Sequence, residues 1–345
     1  MSVPVTYYRS SSITEWCNCP LRYYINHVLG FKYPSGPKAL LGTAFHEIME
    51  VLAHNQDFTD EMVEELTKEI YEKMINEVDF VRVPPSYHRK SGERKSKEAW
   101  LPFRDLKKSV DNVMSMTPRP FDVRKMDVVA TELKFDVVVL ENWSKYDFTL
   151  KGKRYQGYLR LKGSIDLIVR NEDGTMSIID WKSGKTEDMN TGQKKTFEDY
   201  CRDLQMAMYY TVTRRYLGYD VQDVTLCFLN EKEVYTLHFD EDLVMDKIQS
   251  IYTEMKQCKF PPKIDSEFCK RFCPYSKNDF SSVTSLPLVK PRHYSWVNEA
   301  GLTEHGRTYK MCSQIDLYFR SGYTPLEVAE ALTRYDHNIE EYKNV

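Results

Sequence analysis

The chain has 345 residues, 41% of them hydrophobic and 13% aromatic, which is enough for two domains or for one large domain with an appendage. Its formal net charge of −3 gives no overall attraction to nucleic acid, so a surface for a polyanion would have to be a local patch. No segment is apolar over the roughly 18 residues of a membrane helix, and the first residues lack the pattern of a secretion signal. We therefore expect a cytoplasmic protein whose eight cysteines are buried thiols or metal ligands rather than disulfides.

The first third of the chain has helical periodicity. Helices are predicted from residue 10 onward and over residues 39–53, 59–78 and 100–116. In the second of these segments, apolar residues recur at helical spacing and form a stripe that is typical of a buried face. His46 lies directly beside that stripe, where an isolated histidine would by default be a residue of the helix surface.

Two predicted strands joined by a tight turn, residues 161–170 and 176–182, are the most informative stretch of the sequence. The sequence Asn-Glu-Asp-Gly at 171–174 is a strong turn signal between them. Asp166 interrupts the first strand, whereas Asp180 and Lys182 interrupt the second and share one of its faces. If the loop has three residues, 172–174, the register places Asp166 directly opposite Asp180; a two-residue turn would shift that register by one.

Two carboxylates beside an ammonium group indicate a divalent cation of the Mg²⁺ or Mn²⁺ type, which prefers oxygen ligands. The alternative is a hairpin whose charged side chains simply face solvent. Aspartate is depleted in strands, and both Asp166 and Asp180 have apolar neighbours in the sequence. The metal site is therefore the better interpretation of the two.

The same residues resemble the D…(D/E)-x-K core of the PD-(D/E)XK nuclease superfamily, with Asp166 first and Asp180, Trp181 and Lys182 second. The sequences Gly-Ser-Ile-Asp at 163–166 and Asp-Trp-Lys-Ser-Gly at 180–184 are similar to its RecB-like exonuclease branch. The resemblance implies an α/β fold, with a restriction-endonuclease-like core in which helices flank a central mixed β-sheet. It also implies that Asp166, Asp180 and the Trp181 backbone carbonyl bind the metal and that Lys182 orients or helps to activate water.

Four further residues gain a role from this resemblance. Gly-Thr-x-x-His-Glu at 42–47 is similar to the first motif of the family, which makes His46 a metal ligand. Gln205 and Tyr209 are similar to the last motif, Gln-x-x-x-Tyr, in which the glutamine lies near the active site as a catalytic residue. Glu132 corresponds to an acidic residue that precedes the hairpin in many members, although a half-exposed strand residue is an equally good interpretation.

The rest of the core alternates between strands and helices. A strand over residues 127–140 and a polar excursion over 141–155 precede the hairpin. After it we predict a long helix over 198–217, strands over 221–230 and 233–239, and a helix over 241–257. This order is typical of a central mixed sheet with helices on both sides. Lys194 and Lys195, in the loop after the hairpin, either contact a DNA backbone or belong to an ordinary surface loop.

Some RecB-like nucleases bind a [4Fe–4S] cluster through one cysteine before the core and three after it. Cys19 resembles the first ligand, and Cys269 and Cys273 resemble the next two, although their C-x-x-x-C spacing departs from the usual C-x-x-C and the later third cysteine is absent. Cys17 or Cys258 is a candidate for the fourth thiolate. Four thiolates would bind an iron–sulfur cluster or zinc, and the alternative is a set of buried thiols with no ligand.

We predict a nuclease domain over residues 1–280, a linker over 281–300, and a small C-terminal helical module over 301–345 that binds a protein or DNA partner. The predicted function is that of a metal-dependent exonuclease that hydrolyses DNA phosphodiester bonds at single-stranded ends. We expect it to act in recombination, repair or phage-type DNA processing. One alternative is a structure-specific endonuclease. Another, from a different class, is a catalytically silent DNA-binding or scaffold protein with a metal cluster. No membrane partner is expected.

Overall fold

The central sheet is mixed and has six strands, and a separate two-stranded hairpin lies beside it. A computed structural model describes residues 5–28, 37–77, 98, 101–116, 121–150, 152–188, 191–257, 260–261 and 322. The strands are β1 (Tyr7–Arg9), β2 (Asp127–Val138), β3 (Lys145–Leu150), β4 (Lys153–Tyr158), β5 (Arg160–Arg170), β6 (Met176–Lys182), β7 (Val221–Phe228) and β8 (Glu233–Leu237).

Strand β5 is the centre of the sheet, and its two edges are used differently. Strand β2 pairs antiparallel along the whole of one edge. On the other edge, β1 pairs in parallel with residues 160–162 and β6 pairs antiparallel with residues 167–170. Residues 163–166 therefore lie in a gap between β1 and β6. Beyond β6, strand β7 is parallel to it and β8 is antiparallel to β7.

Helices cover both faces of this sheet. They are α1 (Ser10–Asn18), α2 (Pro20–Tyr23), α3 (Pro37–His54), α4 (Asp60–Glu77), α5 (Phe103–Met114), α6 (Phe197–Cys201), α7 (Leu204–Arg215) and α8 (Glu241–Lys256). One core packs α1, α7 and α8 against the sheet, and the other packs α3, α4 and α5. This arrangement confirms the predicted α/β class with a central mixed sheet flanked by helices. No helix in the described part of the chain is long and apolar enough to cross a membrane.

The long helix predicted over residues 198–217 is wrong, because it is two helices. Helix α6 ends before Arg202, and α7 begins after Asp203. The Asp203 carboxylate accepts hydrogen bonds from the backbone amides of Gln205 and Met206. Aspartate at this position satisfies amides that have no partner within the helix, so it starts a new helix where periodicity alone predicted continuation.

The polar excursion predicted over residues 141–155 is also wrong, because it contains most of the β3–β4 hairpin. Lys145 pairs with Tyr158 at one end and Leu150 with Lys153 at the other. Phe148 and Tyr155 stack with their ring centroids 5.4 Å apart. Charged residues on the exposed positions hide the alternation that strand prediction depends on.

The predicted linker at 281–300 and nearly all of the helical module at 301–345 lie outside the described residues. The division of the chain into these parts stays a prediction.

Candidate active site

Three carboxylates lie in one row across the gap in the sheet. In the pairing of β2 with β5, Thr131 is opposite Leu167 and Leu133 is opposite Ile165, so Glu132 faces Asp166. In the pairing of β5 with β6, Leu167 is opposite Ile179, and one further step brings Asp166 to Asp180. The three-residue loop closes where Asn171 N–H donates to Thr175 O at 2.8 Å. This is the register predicted for a three-residue loop, and not the alternative shifted by one residue.

The direction in which successive side chains of β5 point changes at Asp166. Ile165 and Ile168 pack in the core with α7, whereas Leu167 and Val169 pack in the core with α3. Strict alternation would place residues 165 and 167 on one face, so the strand is twisted between them. Asp166 thereby faces α3 and α7 at once.

The side chain of Asp166 takes the place of one backbone hydrogen bond between β5 and β6. Its Oδ2 accepts a hydrogen bond of 2.9 Å from the backbone N–H of Trp181. Its Oδ1 lies 3.6 Å from Nδ1 of His46, and the side chain is 11% exposed. Burial, together with the charge of Asp180, raises the pKa of Asp166 to about 7. A cation at this position would offset the cost of ionising the carboxylate.

Glu132 is held in a strained backbone conformation. Its φ is +45°, in the left-handed region that non-glycine residues rarely occupy. Its carboxylate accepts a hydrogen bond of 3.0 Å from the Ser164 hydroxyl, and its Oε1 lies 3.2 Å from Nδ1 of His46. The hydrogen bond to His46 lowers the pKa of Glu132, so this side chain is ionised at neutral pH. Strain of this kind, roughly 1–3 kcal/mol, is typical of functional sites.

Helix α3 brings His46 to the carboxylates. Phe45 and Ile48 on its buried stripe anchor the helix in the core, and Gly42 lies against Ser183 just beyond β6. A Cβ on Gly42 would lie 3.1 Å from the Ser183 hydroxyl, so glycine permits this close approach. Burial lowers the pKa of His46. The hydrogen bond to Glu132 and the charge of Asp166 raise it by more than burial lowers it, so the pKa of His46 is raised overall.

Asp180 and Lys182 form a close ion pair at the end of β6. The Lys182 ammonium lies 2.7 Å from Oδ2 of Asp180, whose side chain is 3% exposed. The approach lacks the direction of a hydrogen bond, and no described group donates to this buried oxygen. Burial raises the pKa of Asp180 despite the lysine. Burial lowers the pKa of Lys182, but the charges of Asp180 and Asp203 outweigh it and raise that pKa above its usual value.

Helix α7 adds a chain of polar contacts on the other side of Lys182. The Lys182 ammonium donates to Oε1 of Gln205 at 3.4 Å, and Nε2 of Gln205 donates to the Tyr209 hydroxyl at 3.0 Å. The Ser10 hydroxyl also donates to the Tyr209 oxygen, at 3.2 Å. Burial, with the charge of Asp180, raises the pKa of Tyr209 to about 12, so it stays a neutral phenol.

The donor set fits a divalent cation. His46, Glu132 and Asp166 each offer one ligand atom, and these three atoms lie within 4.8 Å of one another. The buried Oδ2 of Asp180, whose closest cation is the Lys182 ammonium and which accepts no hydrogen bond from the described residues, is a fourth candidate ligand atom. Carboxylate oxygens with one imidazole nitrogen are ligands suited to Mg²⁺ or Mn²⁺. The row therefore has the composition of a metal site, although Asp180 is outside the 4.8 Å group.

The remaining predicted residues are only partly described. The Trp181 indole is buried against Phe45 and Phe121 in the core that α3 covers, whereas its backbone N–H contacts the site through Asp166. Cys17 is exposed and Cys19 half-buried at the end of α1. Cys269 and Cys273, like Cys258, lie outside the described residues. A cluster bound by Cys17, Cys19, Cys269 and Cys273 stays a prediction.

The two loop lysines have partners within the protein. Lys194 forms an ion pair with Glu233, and its backbone pairs with that of Glu187 in an isolated antiparallel β-bridge. The Lys195 ammonium lies 5.7 Å from the centroid of the Tyr200 ring. Contacts of these lysines to DNA stay a prediction.

Sequence reasoning did not identify Asp203 or Ser164, which orient Gln205 and Glu132. An aspartate directly before a helical pattern is an N-cap signal, so Asp203 could have been found. Ser164 lies in the Gly-Ser-Ile-Asp sequence, but its hydrogen bond to Glu132 could not be predicted, because that contact depends on the pairing of β2 with β5.

The model of the PD-(D/E)XK nuclease superfamily matches residues 10–277, a range that contains the whole site. Among solved structures, an Eubacterium rectale protein described as a "putative exonuclease" is 12% identical, over 84% of this chain and 92% of its own, with a TM-score of 0.42. A protein designated SSO0001 is 16% identical, over 65% of this chain and 98% of its own, with a TM-score of 0.29. With TM-scores this low, neither likeness says anything about activity. No curated protein matches the sequence.

Proposed function

This chain belongs to the PD-(D/E)XK nuclease superfamily, and we propose that it is a divalent-metal-dependent exonuclease that hydrolyses phosphodiester bonds at single-stranded DNA ends. The observation that carries the proposal is the row of three carboxylates on β2, β5 and β6 beside Lys182, with His46 supplied by a fourth element, α3. Buried charges cost stability when they have no use, which argues against a silent scaffold. Recombination, repair and phage-type DNA processing all use reactions of this class.

The cation would be held by His46, Asp166 and Asp180, with the Trp181 carbonyl, and Glu132 is a further ligand candidate. When bound, a divalent cation neutralises charge on the phosphate and makes water more acidic. The raised pKa values of Asp166 and Asp180 support this assignment, because burial makes both carboxylates costly to ionise without a cation. His46 would contribute its neutral imidazole, so cation binding releases any proton that it holds.

Lys182 would act as a cation and a hydrogen-bond donor. The charges of Asp180 and Asp203 raise its pKa, so Lys182 is an ammonium at neutral pH in the protein without a bound cation. From its position next to Asp180 it would orient the attacking water and stabilise negative charge that develops on the phosphate. Gln205 would fix the direction of the ammonium through its Oε1, and the hydrogen bond to Tyr209 in turn fixes the amide of Gln205.

Replacing Asp180 with alanine tests the site. We expect Asp180→Ala to lower the rate of Mn²⁺-dependent cleavage of linear single-stranded DNA by roughly 10²- to 10³-fold, because the variant lacks both a ligand and the partner of Lys182. Asp246→Ala is the matched control, since Asp246 is exposed on α8. Cleavage by Asp180→Ala at the wild-type rate would show the proposed mechanism to be wrong.

The same assay on circular single-stranded DNA tests the exonuclease part of the proposal. An exonuclease needs an end, so we expect wild-type protein to degrade the linear form and to leave the circle intact. Cleavage of the circle at a similar rate would instead identify an endonuclease.

A further inference from the structure

One face of β5 is acidic at one end and cationic at the other. From the metal row at Asp166, alternate residues on the same face are Ser164, Lys162 and Arg160. The neighbouring strands continue these rows, because Lys134 is opposite Ser164 and Arg9 is opposite Lys162. Rows two residues apart are separated by roughly 6.8 Å. Cationic side chains therefore lie one and two such steps from the carboxylates.

The charges in these rows are poorly balanced within the protein. Arg160 and Lys162 share one carboxylate, Asp136, at 2.6 Å and 3.1 Å. Neither Arg9 nor Lys134 forms an ion pair with a carboxylate in the described ranges, and both are exposed. Lys134 also interacts electrostatically with Glu132 of the metal row. The rows beyond it nevertheless hold four mutually repelling cations and one carboxylate, Asp136, in a chain whose net charge is −3. Such repulsion is unfavourable unless an anion is bound there.

The cationic rows open directly into the active site. A single cleft of about 470 Å³ is lined by Arg9, Lys134 and Lys162 together with Asp166 and Gln205. An aromatic side chain lies beside the cations, because the Lys162 ammonium is 4.9 Å and the Arg9 guanidinium 5.8 Å from the centroid of the Tyr7 ring. Cations that follow a groove next to an aromatic ring are typical of surfaces for single-stranded nucleic acid.

We propose that Arg9, Lys134 and Lys162 bind the backbone phosphates of the DNA strand that is cut, so that this strand runs along β5 from the metal row towards β1. The inference rests on the proposed function for the identity of the substrate. The nearest phosphate beyond the scissile one contacts Lys134, and the next contacts Arg9 and Lys162. The spacing of the rows is comparable with that of successive phosphates in an extended single strand, whereas the carboxylates at Asp166 would repel the chain without a cation.

The test measures binding separately from cleavage. Fluorescence anisotropy of a labelled oligothymidylate, in EDTA, compares the double variant Arg9→Gln/Lys134→Gln with wild type over a range of salt concentrations. The control is Lys108→Gln/Lys247→Gln, which removes the same charge from exposed positions on α5 and α8. We expect affinity to be at least about tenfold weaker in the first variant. The slope of log affinity against log salt should fall by about 0.7 for each phosphate that the variant no longer neutralises.

Two outcomes decide the proposal. An affinity and a salt slope equal to those of the control variant would overturn it, provided that thermal melting shows both variants folded. Weaker binding confined to the Arg9 and Lys134 variant would support it, whatever Asp180→Ala does to cleavage. Because binding is measured without metal, failure of the strand path and failure of the nuclease mechanism are distinguishable.

Discussion

At the scale of single residues, Lys182 is the side chain whose chemistry the site defines most closely. It has Asp180 at 2.7 Å and Gln205 at 3.4 Å, and the surrounding carboxylates raise its pKa. A permanent positive charge of this kind stabilises a negatively charged transition state without taking up a proton. Its contribution should therefore depend on charge and position rather than on titration.

We predict that Lys182→Gln lowers kcat for DNA cleavage by roughly 10²- to 10³-fold, because glutamine keeps a hydrogen-bond donor but lacks the charge. Lys185→Gln is the matched control, since Lys185 is exposed and lies near Glu187 rather than in the site. The measurement is single-turnover cleavage at saturating protein. An unchanged rate for Lys182→Gln would exclude it from catalysis.

At the scale of elements, the gap in β5 between β1 and β6 is what makes room for the site. Residues 163–166 have β2 on one edge, while β1 and β6 stop short of them on the other. Gly163 begins this gap, and its missing side chain leaves room for Phe135. A Cβ on Gly163 would lie 2.5 Å from Cζ of Phe135 and 2.9 Å from the Ser10 hydroxyl. Phe135 is buried against Tyr209, so it has little freedom to move.

We predict that Gly163→Ala lowers the free energy of unfolding by about 1–3 kcal/mol, because the added methyl group overpacks this contact. Gly184→Ala is the control, since a Cβ there meets nothing within 4 Å. Urea unfolding followed by circular dichroism gives both values. Equal stability of the two variants would mean that Phe135 yields without cost.

At the scale of the whole molecule, the site couples stability to pH and to metal. The folded state raises the pKa of Asp166 to about 7 and also raises those of Asp180 and His46. Above the unfolded carboxyl pKa of about 4, the folded protein therefore binds more protons than the unfolded chain, so its stability falls as pH rises. The lowered pKa of Glu132 acts in the opposite direction, but only below its ordinary value of about 4.5.

We predict that the melting temperature in EDTA falls between about pH 5 and about pH 8, and that Mn²⁺ restores much of the stability at the higher pH. Asp166→Asn should melt higher than wild type at about pH 8 in EDTA, because a neutral amide avoids the cost of ionisation. It should also lose most of the stabilisation by Mn²⁺. A melting temperature independent of pH in this range would contradict the assignment of a buried acidic site.

The sequence alone predicts the hairpin and the presence of Asp166, Asp180 and Lys182 within it, and it limits the hairpin to two registers, of which the structure has the one with the three-residue loop. These features are local: a short turn and a period of two fix which residues face one another. Two further motifs, at 42–47 and 205–209, indicated His46 and Gln205 through the family resemblance. The sequence did not reveal the β3–β4 hairpin or the break before α7, because charged exposed strands and a helix cap both weaken the periodic signal.

The surroundings of the hairpin follow from the three-dimensional arrangement and not from local sequence patterns. The strained Glu132, its contact with His46, the gap at residues 163–166 and the cationic rows all depend on how β1 and β2 pair with β5. Those pairings join residues far apart in the chain, and no local pattern encodes their register. Local spacing therefore specified the acidic centre of the site, whereas long-range strand pairing specified its completion and the surface that leads into it.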